Sequence, residues 1–381
     1  MSACFIAGTG LTAFGRHEGA TTLSLMAEAA ESAMAGAGLD RAEIDGLITG
    51  YSTTMPHLML STVFAERFGL KPSYAHSIQL GGATGAAMLM LGDILVRSGR
   101  MRNVLVVAGE NRLSGQKREA SIQTLAQVGH PTGEVALGAT VPAYYALAAS
   151  RYLHDTGARE ADLAELAVLM RRNAVDTPGA HLHDPISVAD VMASKPIASP
   201  LKLLDCCPIS DGAAAIVLSS KRPAGPALRI AGATQAHTHQ HISEAPDDIA
   251  LGARQSGAAA LGQAGIRLND IGYAAIYDSF TVTLALLLEA VGICIPGQSG
   301  ADARAGRFDR GGALPLNTHG GLLSYGHCGV AGAMAHFAEA ADQLCGRAGE
   351  RQIPGTPSHA LYHGDGGVLS SHVSLVLERI A

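Results

Sequence analysis

Asn317-Thr-His-Gly-Gly-Leu-Leu-Ser-Tyr-Gly-His-Cys-Gly-Val-Ala-Gly-Ala333 is the stretch that decides the fold. Its glycines permit tight backbone turns, and His319, His327 and Cys328 stand among them as the polar and reactive side chains. The run leads into an Ala-rich helix expected over 333–344. An earlier segment, Gly81-Gly-Ala-Thr-Gly85, has the same texture: Gly82-Ala-Thr-Gly-Ala86 parallels Gly329-Val-Ala-Gly-Ala333 and opens a helix expected over 86–98.

A second pair of segments precedes these two in the same order. Ala37-Gly-Leu-Asp-Arg-Ala-Glu-Ile-Asp-Gly-Leu-Ile48 returns, one residue longer, as Ala264-Gly-Ile-Arg-Leu-Asn-Asp-Ile-Gly-Tyr-Ala-Ala-Ile276. Each copy ends an amphipathic helix (23–37 and 249–264), stops at a glycine, turns and enters an apolar strand. Two pairs in one order predict duplicated α/β halves. Val104-Leu-Val-Val-Ala108, Arg229-Ile-Ala231 and Ser374-Leu-Val-Leu377 are continuous apolar runs of the kind that fill buried strands. The expected division is 1–225 and 226–381.

Composition narrows the function classes. The 381 residues are 48% hydrophobic and 16% charged, enough for a large interior. A net charge of −6 gives no basic footprint for nucleic acid. No apolar run reaches the length of a membrane span and no signal-like segment is evident, so the expected place is the cytoplasm. Six cysteines without CxxC spacing imply neither a zinc ribbon nor a disulfide framework. His237, His239 and His241 alternate, which would set all three on one face of an extended strand. With no further ligand nearby in sequence, no metal is expected.

Between the halves, about 112–202, lies an insertion of different texture. It carries helices expected over 142–154 and 161–173, a loop rich in Pro and His over 177–185, and the basic residues Arg171, Arg172, Lys195 and Lys202. Asp205-Cys-Cys-Pro-Ile-Ser-Asp-Gly-Ala-Ala-Ala215 then returns the chain to a buried strand.

The duplicated halves, the insertion, the 205–215 segment, Tyr277-Asp-Ser-Phe280 and Gly326-His-Cys-Gly329 together resemble a thiolase of the sterol-carrier-protein type, over essentially the whole chain. The resemblance implies the α/β thiolase fold, a duplicated five-layered αβαβα arrangement with an inserted cap domain, assembled as a homodimer or larger. It also implies a coenzyme A thioester as substrate. Arg171, Arg172, Lys195 and Lys202 are then either a solvated face or a cap that meets the CoA phosphates.

Position by position, the chain departs from the family where the chemistry lies. The nucleophilic cysteine of thiolases, placed at a helix start, corresponds to Gly82. The histidine and cysteine of the family's His-Asp-Cys-Phe motif correspond to Tyr277 and Ser279. The histidine of its Gly-His-Pro motif is kept as His327, and the proline is Cys328. No cysteine lies between Cys4 and Cys206, so no small shift of the alignment restores the nucleophile.

Retro-aldol cleavage of a β-hydroxyacyl-CoA survives such a loss, because it needs a base for the β-hydroxyl proton and donors for the enolate oxygen, not a covalent intermediate. His327 is the candidate oxyanion donor or base, Tyr277 the candidate proton exchanger, and Ser279 the group that positions water or substrate. The Gly81–Gly85 turn is expected to leave room where the thiol stands in thiolases. Certain thiolase-like aldolases that shorten steroid side chains resemble this pattern, with a second tyrosine where this chain has His327. Two other readings stay open: a degenerate subunit that binds acyl-CoA or scaffolds a partner, and an atypical acetyl-CoA acyltransferase using Cys328. Relatives of this kind are often paired with an OB-fold protein bearing a zinc ribbon. This sequence has no such module, so the resemblance implies a separate partner.

Overall fold

The computed structural model describes residues 2–380, with every side chain among them except that of Arg118. The first half runs β1 (Phe5–Leu11), α1 (Thr22–Ala37), β2 (Gly46–Gly50), α2 (Leu60–Phe68), β3 (Tyr74–Ile78), α3 (Thr84–Arg97) and β4 (Asn103–Asn111). The insertion follows with α4 (Arg112–Gly115), α5 (Arg118–Ala126), α6 (Val141–Thr156), α7 (Glu160–Ala174), α8 (Val188–Ala193) and the hairpin β5 (Pro196–Ala198) and β6 (Leu201–Lys202), after which β7 (Asp211–Ser219) rejoins the sheet. The second half runs β8 (Ala227–His237), α9 (Leu251–Ala264), β9 (Tyr273–Ile276), α10 (Thr281–Ala290), α11 (Ser299–Arg304), α12 (Gly321–Ser324), α13 (Val330–Cys345), β10 (His359–Gly366) and β11 (Ser371–Ile380).

The first sheet has the order β3-β2-β4-β7-β1. In it β2 is parallel to β3 and β4, and β7 is antiparallel to β4 and β1. The second has the order β9-β10-β11-β8, with β10 parallel to β9 and antiparallel to β11, and β11 antiparallel to β8. Thus β8, β9, β10 and β11 repeat β1, β2, β4 and β7. The place of β3 is taken by a single parallel bridge from Ala274 to Leu316. The 317–333 run starts one residue later, so the two Gly-rich turns occupy equivalent places in the two halves.

α3 and α13 lie against each other between the sheets, α1 and α2 cover the outer face of the first sheet, and α9 covers the outer face of the second. These are the five layers of the thiolase fold. The same close approach recurs in both halves. A Cβ at Gly8 would lie 2.1 Å from the Ala33 carbonyl oxygen of α1, and one at Gly232 would lie 2.1 Å from the Ala260 carbonyl oxygen of α9. Only glycine lets strand and helix backbones meet this closely.

Several expectations are adjusted. The central helices begin earlier than expected, at Thr84 and Val330. At the first, Thr84 Oγ1 accepts from Leu80 N at 2.8 Å and donates to Gly81 O at 2.6 Å, so the turn closes directly onto the helix. The histidines 237, 239 and 241 do not share a strand face, because β8 ends at His237. His237 meets Ser371 Oγ, His239 meets the Val368 carbonyl, and His241 packs edge-on against His130. Among the described residues no group of three or more His, Cys, Asp or Glu is placed to hold a metal ion. Among them, too, no helix is long and apolar enough to cross a membrane.

Candidate active site

Tyr277 follows directly on β9, whose end is clamped by Asn317. The Asn317 amide accepts from Ile276 N at 2.9 Å and donates to Ile276 O at 2.7 Å, and its own backbone sits at φ 43. Asp278 is fully buried and joins three segments: it accepts from Leu322 N at 2.7 Å and Leu323 N at 3.3 Å in α12, and meets His336 Nε2 of α13 at 2.8 Å. The loop that returns from the insertion completes the frame. Cys207 N donates to Ser279 O at 3.0 Å, His327 N donates to Pro208 O at 3.2 Å, and Ser210 N donates to His327 O at 3.0 Å. Both motifs are therefore held by backbone pairing to one short segment.

In this frame Tyr277 Oη and His327 Nε2 converge at 3.4 Å. That contact is long for a hydrogen bond, so both tips remain able to turn toward a bound oxygen. A Cβ at Gly82 would lie 2.3 Å from Tyr277 Oη and 2.4 Å from the Asp365 carbonyl oxygen. The expected room at the nucleophile turn is therefore absent in this structure: the tyrosine hydroxyl fills the space where a cysteine side chain would begin.

The protonation states follow from burial. Tyr277 is raised well above the ordinary phenol value, first by burial and then by Cys207 and Asp365, so it is a neutral phenol. Burial, with the Arg112 guanidinium second, pushes His327 down to about 3, so it is a neutral imidazole. Arg112 is itself buried in an ion pair with Glu110 at 3.3 Å.

The other candidates divide. Ser279 is buried, with its hydroxyl 3.5 Å from Thr283 Oγ1 and near Tyr145. Cys328 is fully buried, and burial followed by the Glu110 carboxyl raises its thiol well above the ordinary value, which disfavours the thiolate a nucleophile requires. Arg171 is buried too, donating to Ser324 Oγ at 3.1 Å and to the Asp184 carbonyl at 2.8 Å, so that it ties the insertion to α12. Arg172 pairs with Asp309 and Lys202 with Glu160, while Lys195 is exposed.

Three residues enter the site without having been singled out. Tyr145 of α6 stacks on Phe280 with ring centroids 4.4 Å apart, and its hydroxyl lies 3.0 Å from Asp365 Oδ2 and 2.9 Å from the Gly367 carbonyl. Asp365 closes β10 behind Gly82, and Cys207 neighbours Tyr277.

Comparison with known proteins agrees with this architecture. The family description "Thiolase, N-terminal domain" matches residues 4–222 and "Thiolase C-terminal domain-like" matches 234–379. The chain belongs to the thiolase superfamily. It is 33% identical to a steroid side-chain-cleaving aldolase of Thermomonospora curvata, over 99% of this chain and 98% of that one. It is 28% identical to an acetyl-CoA acetyltransferase of Methanothermobacter thermautotrophicus, over 97% of this chain and 98% of that one. A solved structure described as an Ltp2-ChsH2(DUF35) aldolase superposes with a TM-score of 0.85 at 30% identity, covering 99% of this chain and 98% of its own.

Proposed function

We propose that this protein is an acyl-CoA carbon–carbon lyase that cleaves a β-hydroxyacyl-CoA by a retro-aldol reaction, with no acyl-enzyme. The observation that carries the reading is the Tyr277 hydroxyl standing in the space of the lost thiol, 3.4 Å from His327 Nε2. A phenol held well above its ordinary pKa is suited to relay a proton without becoming charged. Its oxygen takes the β-hydroxyl proton as the carbon–carbon bond breaks and the β-carbon becomes a carbonyl. Its own proton passes to the α-carbon of the departing thioester enolate, so the tyrosine ends as it began. A neutral His327 donates its N–H to the enolate oxygen, a role for which a low imidazole pKa is fitting. Similarity to the Thermomonospora curvata aldolase supports this class over the acyltransferase. So does the burial of Cys328, which argues against the acyltransferase that would use it.

CoA phosphates are proposed to meet Lys195 and Lys202 on the β5–β6 hairpin. A homodimer is proposed through the β3 edge, supported by the free edge of that strand and by Leu58 and Met59, which are 99% and 58% exposed close by in sequence. The structure that pairs a DUF35 component with an aldolase supports a separate partner protein.

The test supplies the protein, with and without such a partner, with β-hydroxyacyl-CoA substrates and measures released aldehyde or ketone together with shortened thioester. His327→Ala and Tyr277→Phe should each lower turnover by about a hundredfold or more. CoA ester binding should change far less, because both groups act on charge that develops during the reaction. CoA esters bound with no product released would overturn the reading in favour of a degenerate binding subunit.

A further inference from the structure

Asp365 presents a proton-counting problem that the lyase reading leaves open. Its side chain is buried at the end of β10, and its own backbone carbonyl borders the Gly82 position. Tyr145 Oη lies within hydrogen-bond distance of two acceptors, Asp365 Oδ2 at 3.0 Å and the Gly367 carbonyl at 2.9 Å. A phenol has one proton and can donate to only one of them. Both contacts are satisfied together only if Asp365 carries a proton on Oδ2 and donates it to Tyr145, leaving Tyr145 free to donate to Gly367.

The groups facing Asp365 agree with that count. From α6 and from the end of β9 it faces the phenols Tyr145 and Tyr277. From β11 it faces His372, whose Nδ1 is 3.7 Å from Asp365 Oδ1, too far for a hydrogen bond. His372 Nε2 donates to the Leu369 carbonyl at 2.9 Å, which fixes its proton there. His372 Nδ1 is then the acceptor for His363 Nε2–H at 3.2 Å, and His363 Nδ1 accepts from Ser374 at 2.8 Å. Each imidazole is thus satisfied in its neutral form. Asp365 Oδ1 has no well-formed hydrogen bond, and the backbone N–H groups of Leu369 and Gly366, which favour the carboxylate, are outweighed by burial. Burial accordingly raises the Asp365 carboxyl well above its ordinary range and lowers His372 to about 4.

We propose that Asp365 works as a neutral carboxylic acid: its Oδ2–H donates to Tyr145, Tyr145 donates to the Gly367 carbonyl, and the pair walls the site without setting a negative charge beside Tyr277. Asp365 is a positioning residue. Its function rests on the lyase reading, because an enolate formed next to a carboxylate would be opposed by like charge, and a protonated acid removes that opposition. Its protonation state does not rest on that reading.

Two measurements separate the proposal from the lyase reading. In infrared difference spectra of wild type against Asp365→Asn near neutral pH, a carboxylic-acid C=O stretch should be present in wild type and absent in the variant. A carboxylate stretch in its place would overturn the proposal whatever the enzyme does. In the product-release assay Asp365→Asn, which keeps a donor toward Tyr145 and no charge, should hold kcat within about tenfold and leave its pH profile unmoved, the scale of exchanging one neutral hydrogen bond for another. A loss of about a hundredfold in kcat at unchanged KM would instead mark an ionised, reacting carboxylate. Should Asp365→Asn fail to fold, Tyr145→Phe serves. It removes the acceptor of the acid proton and should move the acid band to higher frequency, whereas an ionised Asp365 shows no acid band in either protein.

Discussion

Substitution at Gly82 tests the central geometry most directly. A methyl group there would approach Tyr277 Oη to 2.3 Å, Tyr277 Cζ to 2.5 Å and the Asp365 carbonyl oxygen to 2.4 Å. Unstrained contacts of this kind need about 3.5 Å, so each overlap is about 1 Å. Two of the three fall on a side chain that can turn away, and the third on backbone that cannot. Overpacking of a buried site typically costs about 1–3 kcal/mol. In a chain of this size that corresponds to a Tm lower by roughly 1–4 °C. The displaced Tyr277 should also lose its alignment with His327, with turnover down by about a hundredfold. Gly82→Ala and Gly82→Cys are therefore both expected to be less stable and nearly inactive, and the restored cysteine alone should not recover acyl-enzyme chemistry. Calorimetry of Gly82→Ala, Tyr277→Ala and the double variant forms a cycle. The pair should couple by about 1 kcal/mol or more, because removing the phenol relieves the larger share of the clash. A Gly82→Ala protein with wild-type Tm and turnover, or strict additivity in the cycle, would refute the placement of the hydroxyl in the thiol's space.

Asn317→Ala should lower the urea midpoint by an amount equivalent to about 2–4 kcal/mol, since it strands the buried N–H and C=O of Ile276; an unchanged midpoint would contradict the clamp. Cys328 should resist maleimide in the native protein and react only on unfolding, with Cys206, Cys207 and Cys345 reacting earlier, and intact-mass spectra after acyl-CoA incubation should show no adduct. His372 is depressed from 6.5 to about 4 on folding, so below 6.5 the unfolded chain takes up a proton that the folded one refuses, and this residue's contribution to stability falls as the pH drops through that interval. The stability gap between wild type and His372→Asn should accordingly narrow from pH 6.5 towards 4, and a constant gap would contradict neutral burial. Light scattering of dilute protein should report a dimer, and Leu58→Asp with Met59→Asp should shift it toward monomer.

The duplication was legible because its signals are local: a helix, a glycine stop and an apolar strand recur within short windows. Gly82, Tyr277 and His327 could also be placed, through motifs whose chemistry is tied to position. What stayed hidden came from elements distant in sequence. Tyr145 lies on an amphipathic helix where an aromatic reads as core, and only tertiary packing brings it to Asp365, 220 residues away. Asp365 did leave a trace, as an acid set between Leu361-Tyr362 and Val368-Leu369 in a strand otherwise destined for burial. Arg171 left one too. It follows Leu163 and Ala167 at intervals of four, on the stripe of α7 that faces inward. Its charge suggested a phosphate contact, and the helical period indicated the interior.

The contacts of Gly8 with Ala33 and of Gly232 with Ala260 bear on ancestry. A clash between two side chains can be repaired by changing either one, so such pairs drift apart after a gene doubles. A clash with a carbonyl oxygen has no such remedy, because every amino acid carries the same carbonyl. Most side chains elsewhere along α1 and α9 have been replaced, while both halves keep Ile-Ala-Gly on the strand, at 6–8 and 230–232, and still bring a bare strand against a helix backbone at the matching place. The place without a side chain is thus among the parts of the original half-molecule that endure longest, and shared ancestry between the halves is better sought there than in the residues that react.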